Sequence, residues 1–412
     1  MVVPWPEAIA HCDADSFFLS CELARRPELK GKPAVVVGKL GSCVLAKSHD
    51  LKIQGIQTAM PIWEVKKRFP NVICLQADFA WYNHLSAKMF AILSNWTPDV
   101  EVYSVDEAFL DLKGLRRLYK MDYGQIAYAI KEDIKRQLGL TVSVGVSVSR
   151  TLAKMAGEVN KPDGVTVISA QELSSWLPKF SLGDVPGFGR NTVALLEKCG
   201  LKTCHDFVQL SEDKVRSLLH KPGLQLWKEL RGQKVFSVEP AFAPQQMITR
   251  TSSFQPLTAD QDFLWAHTVR QLERAVDALR DNEQRTQEVA LYLRDRAFHH
   301  SGWSHRLPSS TNTFSDCLEA LKQIWRRHFP AGKVFRSTGV TFFRLSQDLG
   351  QQFSLFENPG LFLRQDQLEQ AKRIIKNRYG QLAIRSASSL RLSQLGPNVK
   401  KSLRAKAFNV EW

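Results

Sequence analysis

The chain of 412 residues is too long for one hydrophobic core and predicts roughly two to four domains. Its 44% hydrophobic and 24% charged residues are ordinary for a globular protein, which excludes a disordered or fibrous chain. The net charge of +15 points to a polyanionic partner, and the excess rises toward the C-terminus, where residues 347–412 carry 11 basic against 5 acidic side chains. Cys12, Cys21, Cys43, Cys74, Cys199, Cys204 and Cys317 form no C-x-x-C pair and fit the reduced thiols of a cytoplasm. The N-terminus lacks a basic, apolar leader. No stretch reaches the roughly 18 apolar residues of a membrane span, so neither export nor a membrane is expected.

In chain order, Ile9 to Leu19 reads as a strand turning into a helix and carries Asp13, Asp15, Phe17 and Phe18. Lys32 to Gly38 and Cys43 to Ala46 read as short strands, Lys47 to Gln54 and Met60 to Arg68 as short helices, together a small α/β lobe. Tyr82 to Trp96 and Ile126 to Leu138 are amphipathic helices. Between them, Val100 to Tyr103 and Ala108 to Leu112 are strand-like runs joined through Ser104-Val105-Asp106-Glu107. Thr141 to Val148 alternates Val142, Val144, Val146 and Val148, predicting a half-buried strand; a helix over Thr151 to Val159 and a strand over Val165 to Ile168 follow. Hairpin, helix and strand in this order predict a ferredoxin-like sheet with two helices on one face.

Adjacent carboxylates at a strand turn repel each other. Either Asp106 and Glu107 form a satisfied acidic turn, or a cation neutralises them. If the first strand lies beside this hairpin, Asp13, Asp106 and Glu107 converge into an oxygen-rich cage of the kind Mg²⁺ chooses. Two such ions about 4 Å apart form the usual clamp for phosphoryl or nucleotidyl transfer.

Further along, Gly183 to Arg190 precedes a helix over Asn191 to Cys199, and a second helix begins near Cys204. Gly187 and Gly189 let backbone N–H groups face a phosphate, unless they only make a tight turn between packed helices. Residues 237–249, with Pro240 and Pro244, read as a linker. Residues 250–346 form another α/β unit, with helices over Phe263 to Leu279 and Phe314 to Phe329 and strands over Glu288 to Arg294 and Thr338 to Leu345. Arg294, Arg296, Arg336 and Arg344 either follow a phosphate backbone or make a solvated basic face. Gln352-Phe353-Ser354-Leu355-Phe356 is an apolar anchor for a partner's groove, or folds back on its own domain. A helix over Gln367 to Tyr379 and a basic end, Lys400 to Trp412, complete the chain.

Asp13-Ala14-Asp15-Ser16-Phe17-Phe18, Ser104-Val105-Asp106-Glu107-Ala108-Phe109, Lys161-Pro162-Asp163-Gly164, Gly187-Phe188-Gly189 and Gln352 to Phe356, in this order, resemble a Y-family translesion DNA polymerase over nearly the whole chain. The resemblance implies a multidomain α/β (α+β) right hand: a ferredoxin-like palm (1–18 and 78–170), small fingers (19–77), a helix-hairpin-helix thumb (171–236), a linker (237–249), an α/β little finger (250–346) and a tail (347–412). It implies Asp13, Asp106 and Glu107, with the Ala14 carbonyl, as ligands of two Mg²⁺ ions that Mn²⁺ can replace. Phe18 becomes the steric gate beside Phe17 at the nucleotide, and Lys161 reaches the triphosphate. His49 and Lys52 stand where the family usually places Tyr and Arg on the triphosphate; lysine keeps the charge but loses the bidentate fork. Gln352 to Phe356 resembles a sliding-clamp-binding peptide. The implied partners are primer–template DNA, dNTP, the clamp and, for a polymerase V-like enzyme, accessory subunits.

Ser20-Cys21-Glu22 and Cys43-Val44-Leu45-Ala46 look polymerase V-like, whereas Arg378-Tyr379-Gly380 with Ile384-Arg385-Ser386-Ala387-Ser388 looks polymerase IV-like. The implied activity is template-directed synthesis of low fidelity without proofreading, in the bacterial cytoplasm at the nucleoid. Two rivals are an inactive scaffold that bridges clamp and partners, and a nucleotide cyclase. A cyclase would not need the glycine hairpin, the basic C-terminal unit or the clamp peptide.

Overall fold

The computed structural model describes residues 8–38, 43–240, 245–348, 359–380 and 383–389. The chain divides into two compact units, 1–242 and 243–412. Strands of the first unit are β1 (Ile9–Ala14), β2 (Ala34–Val37), β3 (Val44–Lys47), β4 (Ile73–Gln76), β5 (Val100–Val102), β6 (Glu107–Asp111), β7 (Val142–Ser147) and β8 (Val165–Val167). They form a five-stranded sheet in the order β5-β6-β1-β7-β8 and a three-stranded sheet β3-β2-β4.

The central strand β1 alternates two faces. Ala10, Cys12 and Ala14 join the core under helices Phe79–Trp96 and Tyr123–Leu138, whose stripes of Leu85, Met89 and Leu93 and of Ile126, Ile130 and Ile134 are fully or nearly fully buried. Ile9 faces the other way, against Phe109 and Ala153 of helix Arg150–Val159. Both faces are therefore covered where helices on one face were expected. This also corrects the half-buried reading of β7, all six residues of which are buried. Its second face carries only Ser143, Gly145 and Ser147, small enough for helix Arg150–Val159 to lie close. A β-carbon on Gly145 would sit 2.1 Å from the Gly157 backbone nitrogen.

The small sheet has its own core of Val35, Val37, Val44, Leu51, Ile56 and Val65, closed by helices His49–Ile53 and Ile62–Arg68. Strand β4, only four residues without alternation, was not expected. After β8 the chain turns helical, through Arg190–Lys198, Cys204–Val208 and Glu212–Leu230. The last was also unexpected. It is two helices run together across a kink at His220 (φ 56°, ψ −156°), just before Pro222, whose missing N–H and fixed ring interrupt the ladder.

Part of the expected linker is tied down: the Ser237 carbonyl accepts from Arg150 Nη1 (2.9 Å) and the Glu239 N–H donates to Glu101 Oε2 (2.9 Å). In the second unit, β9 (Ile248–Thr258), β10 (Gln284–Asp295), β11 (His300–Thr311) and β12 (Phe335–Gln347) form an antiparallel sheet, order β11-β10-β12-β9. Helices Gln261–Asp281 and Phe314–His328 cover one face, burying Leu272, Val276 and Leu321 against Leu291, Leu293 and Val340. The C-terminal helix starts earlier than expected, at Pro359–Tyr379, and docks by ion pairs, among them Lys376–Asp277 (2.8 Å) and Arg373–Asp281 (2.9 Å). Among the described residues no helix is long and apolar enough to cross a membrane.

Candidate active site

β1 and β6 run antiparallel with Asp13 facing Glu107, and the Ala14 N–H donates to the Asp106 carbonyl at 2.9 Å. This register brings two acidic stretches, distant in sequence, to one end of the sheet together with the Ala14 backbone. His11, two residues before Asp13 and so on the same face of β1, joins them: ligand atoms of His11, Asp13 and Glu107 all lie within 4.8 Å of one another. Asp106 is partly buried and accepts a hydrogen bond from Ser104 Oγ.

The cations around these acids are placed by a helix and a loop. His11 Nε2 donates to Glu107 Oε2 (2.8 Å), and Lys154, on helix Arg150–Val159, pairs with the same oxygen. Lys161 Nζ is 3.0 Å from Asp13 Oδ1 and also pairs with Glu158. Burial pushes the Asp13 carboxyl up to about 6, against the pull of Lys161. Burial also acts on Glu107, but the hydrogen bonds from His11 and Lys154 outweigh it and hold that carboxyl at about 2. Asp13 is thus desolvated at the oxygen-rich end of the sheet, and hard carboxylate donors beside a desolvated acid suit a divalent cation.

Asp15 has a different task. It is buried and accepts from Ser143 Oγ (2.8 Å) and from the Asp163 N–H (2.8 Å), which fixes the loop carrying Lys161. Lys131 holds the same loop through the Asp163 carbonyl at 2.7 Å.

Phe18 stands on the first turn of helix Phe17–Arg25. Its ring stacks on Tyr82 (centroids 4.9 Å, 23°) and meets Phe79 edge-on (5.8 Å, 90°). Tyr82 is itself anchored: its hydroxyl donates to Glu22 Oε1 (2.8 Å), and that buried carboxylate also binds Arg25 (2.7 Å) and Arg26 (2.8 Å). Phe17 departs from the expectation. Its side chain is 3% exposed in the core, so at a nucleotide it has only its backbone N–H to offer. Ser16 before it takes the left-handed φ of 47° that turns the strand sharply into the helix.

His49 and Lys52 are exposed on helix His49–Ile53. Among the described residues no hydrogen bond or ion pair links them to the acidic cluster. Lys47, not singled out from the sequence, lies near Lys52; burial and then that like charge lower its pKa. Gly187 takes φ 97°, and Gly189 caps helix Arg190–Lys198 with open space where a β-carbon would be. In the second unit, Arg294 and Arg336 lie over the Phe298 ring and Arg296 is exposed. Arg344 is already tied to Glu288 (3.1 Å), which weakens its claim on a phosphate. Gln352 to Phe356 lie outside the described residues.

Residues 12–158 match the impB/mucB/samB family and residues 244–355 the C-terminal domain of that family. DNA polymerase IV of Moorella thermoacetica is 31% identical over 392 residues, covering 93% of this chain and 96% of that protein. DNA polymerase IV of Staphylococcus aureus is 28% identical over 354 residues (85% and 98%), and the protein ImpB of Salmonella typhimurium 29% over 356 residues (80% and 84%). A solved chimera of the Y-family DNA polymerases Dbh and Dpo4 superposes with a TM-score of 0.70 at 20% identity, over 82% of this chain and 99% of that one.

Proposed function

Because this chain belongs to the impB/mucB/samB family of Y-family DNA polymerases, we propose that it extends a primer 3′-hydroxyl with deoxynucleotides opposite a template, and does so across damaged DNA. It is a DNA-directed DNA polymerase of the translesion type. The observation that carries the reading is the β1–β6 register, which sets Asp13 against Glu107 with Asp106 alongside. These three, with the Ala14 carbonyl, would hold two Mg²⁺ ions, replaceable by Mn²⁺, which when bound supply Lewis acidity at the 3′-hydroxyl and charge neutralisation at the triphosphate. His11 and Lys154 occupy one Glu107 oxygen, and the other would be free to hold a cation. Lys161 moves from Asp13 to the triphosphate as a point charge.

The palm comprises 1–18 and 78–170 and the fingers 19–77, whose three short strands test the nascent pair with few side chains; low fidelity follows. His49, Lys47 and Lys52 supply the triphosphate contacts of that lobe. The thumb, 171–236, meets phosphates at Gly187 and Gly189. The little finger, 250–346, follows the DNA backbone with Arg294, Arg296 and Arg336, and Gln352 to Phe356 docks in the sliding clamp. The Moorella relative, a DNA polymerase IV matched over 93% of this chain, favours the polymerase IV class. The enzyme works in the cytoplasm, on nucleoid DNA.

Single-nucleotide primer extension with Mg²⁺, dNTPs and NTPs, for wild type and Asp106→Ala, tests the reading. Wild type adds the complementary dNTP; the variant loses about a thousandfold in rate, roughly 4 kcal/mol of transition-state stabilisation. A wild type that binds primer–template without extending it would leave a scaffold or a partner-dependent enzyme. The same assay reads the gate. Phe18→Ala opens the space under the sugar, and the dNTP-over-NTP preference narrows by at least about a hundredfold. An unchanged preference would move sugar selection away from the Phe18–Tyr82 stack.

A further inference from the structure

The hairpin joining β10 to β11 closes at Asp295 to His299. The Asp295 N–H donates to the His299 carbonyl (3.1 Å) and the Phe298 N–H to the Asp295 carbonyl (3.2 Å). Phe298 takes φ 69°, the left-handed place in such a turn that glycine or asparagine normally fills, because a β-carbon there crowds the backbone. Burial does not offset that strain, since Phe298 is 51% exposed. What the ring touches is charge. The Arg336 guanidinium carbon is 3.8 Å from its centroid and that of Arg294 4.7 Å. Two like charges are thereby gathered on one exposed ring. The acidic side chains of β10 do not offset them: Asp295 is engaged by His299 and Glu288 by Arg344. Arg294 Nε is buried with no hydrogen-bond partner among the described residues.

Strained backbone kept at an exposed aromatic, with cations held together around it, asks for an anion to repay the arrangement. We infer that Phe298 is a positioning residue, a clip that holds Arg294 and Arg336 side by side as a two-pronged grip on the phosphodiester backbone of duplex DNA. The inference rests on the polymerase reading and adds to it the element that aims two of its arginines.

Phe298→Gly tests it, because glycine relaxes the left-handed turn while removing the ring. Binding of a labelled primer–template duplex is measured against salt, beside thermal melting. The expected result is a melting temperature equal to or above wild type, an affinity lower by about tenfold, and a slope of log affinity against log salt reduced by about one to two. Phe298→Trp, which keeps an aromatic face, retains the wild-type affinity. Arg294→Ala and Arg336→Ala lose affinity similarly, and adding Phe298→Gly to the double arginine variant costs no more. If the arginine variants weaken binding and Phe298→Gly does not, the clip is wrong while the DNA-binding face stands. If neither arginine variant weakens binding, the DNA reading of this face fails as well.

Discussion

Asp13→Asn lowers the rate of single-nucleotide incorporation by at least about a thousandfold while primer–template binding and the melting temperature stay near wild type. Asparagine has the shape of aspartate and can still accept a hydrogen bond from Lys161 through its amide oxygen. What it loses is a full negative charge at the point where β1 faces Glu107, together with one hard oxygen donor. The fold does not depend on that charge, since burial already pushes the Asp13 carboxyl up to about 6. Chemistry does: about 4 kcal/mol of lost transition-state stabilisation corresponds to the thousandfold figure. Lys161→Gln serves as the comparison. It removes a charge from the same contact but no cation ligand, and its expected loss is smaller, roughly ten- to a hundredfold. Rapid-quench incorporation at saturating dNTP separates the two, and equal losses would contradict the division of roles between them.

The largest effect on stability is expected at Glu229. This carboxylate is 0% exposed near the end of helix Glu212–Leu230. Its Oε1 accepts the N–H groups of Val235 (2.7 Å) and Phe236 (3.0 Å), and its Oε2 accepts that of Thr151 (3.0 Å) on the first turn of helix Arg150–Val159, where the helix dipole also favours a negative charge. Three backbone donors thus converge on one side chain. Glu229→Ala strands them at about 1 kcal/mol or more each, so the first unit loses roughly 3–5 kcal/mol. For a unit of this size that lowers the melting temperature by about 10 °C. Glu229→Gln keeps one acceptor oxygen and loses about half as much. Calorimetry of the full chain, which resolves the melting of the two units, is the check. An unchanged first transition would show that these donors find other partners.

The acidic site was legible because its residues advertise themselves locally. Asp106 and Glu107 are neighbours at a strand turn, and Asp13 lies in a strand apolar enough to be central. His11 carried a usable signal, the period of two that places it on the face of Asp13. Phe17 and Phe18 look alike in the sequence, yet neighbours on a helix point about 100° apart, so Phe17 enters the core. Glu22 with Tyr82 and Glu288 with Arg344 left no local trace, because each is defined by a partner far along the chain, and Glu229 left none because its donors are backbone N–H groups that any residue offers. The sequence hides strands β9 and β11 behind their serines and behind Pro256, Gly302 and Pro308, which read as turns although the edges of a sheet tolerate them. Helix Glu212–Leu230 was hidden by Pro222 and Gly223.

The close seating of helix Arg150–Val159 on β7 works as a spacer whose thickness is set by two absent methyl groups. Neither Gly145 nor Gly157 carries a functional atom, yet the gap they define decides how far Lys154 stands from Glu107. A β-carbon on Gly157 would lie 3.3 Å from His11 Nδ1, so the same gap also sets the room left to that ring. Dimensional tolerance in the packing is passed on to the chemistry. Only Glu158 and Val159 of this helix are exposed, so little of it can drift freely, and thickening the seam by one carbon shifts both groups that steady Glu107 at once.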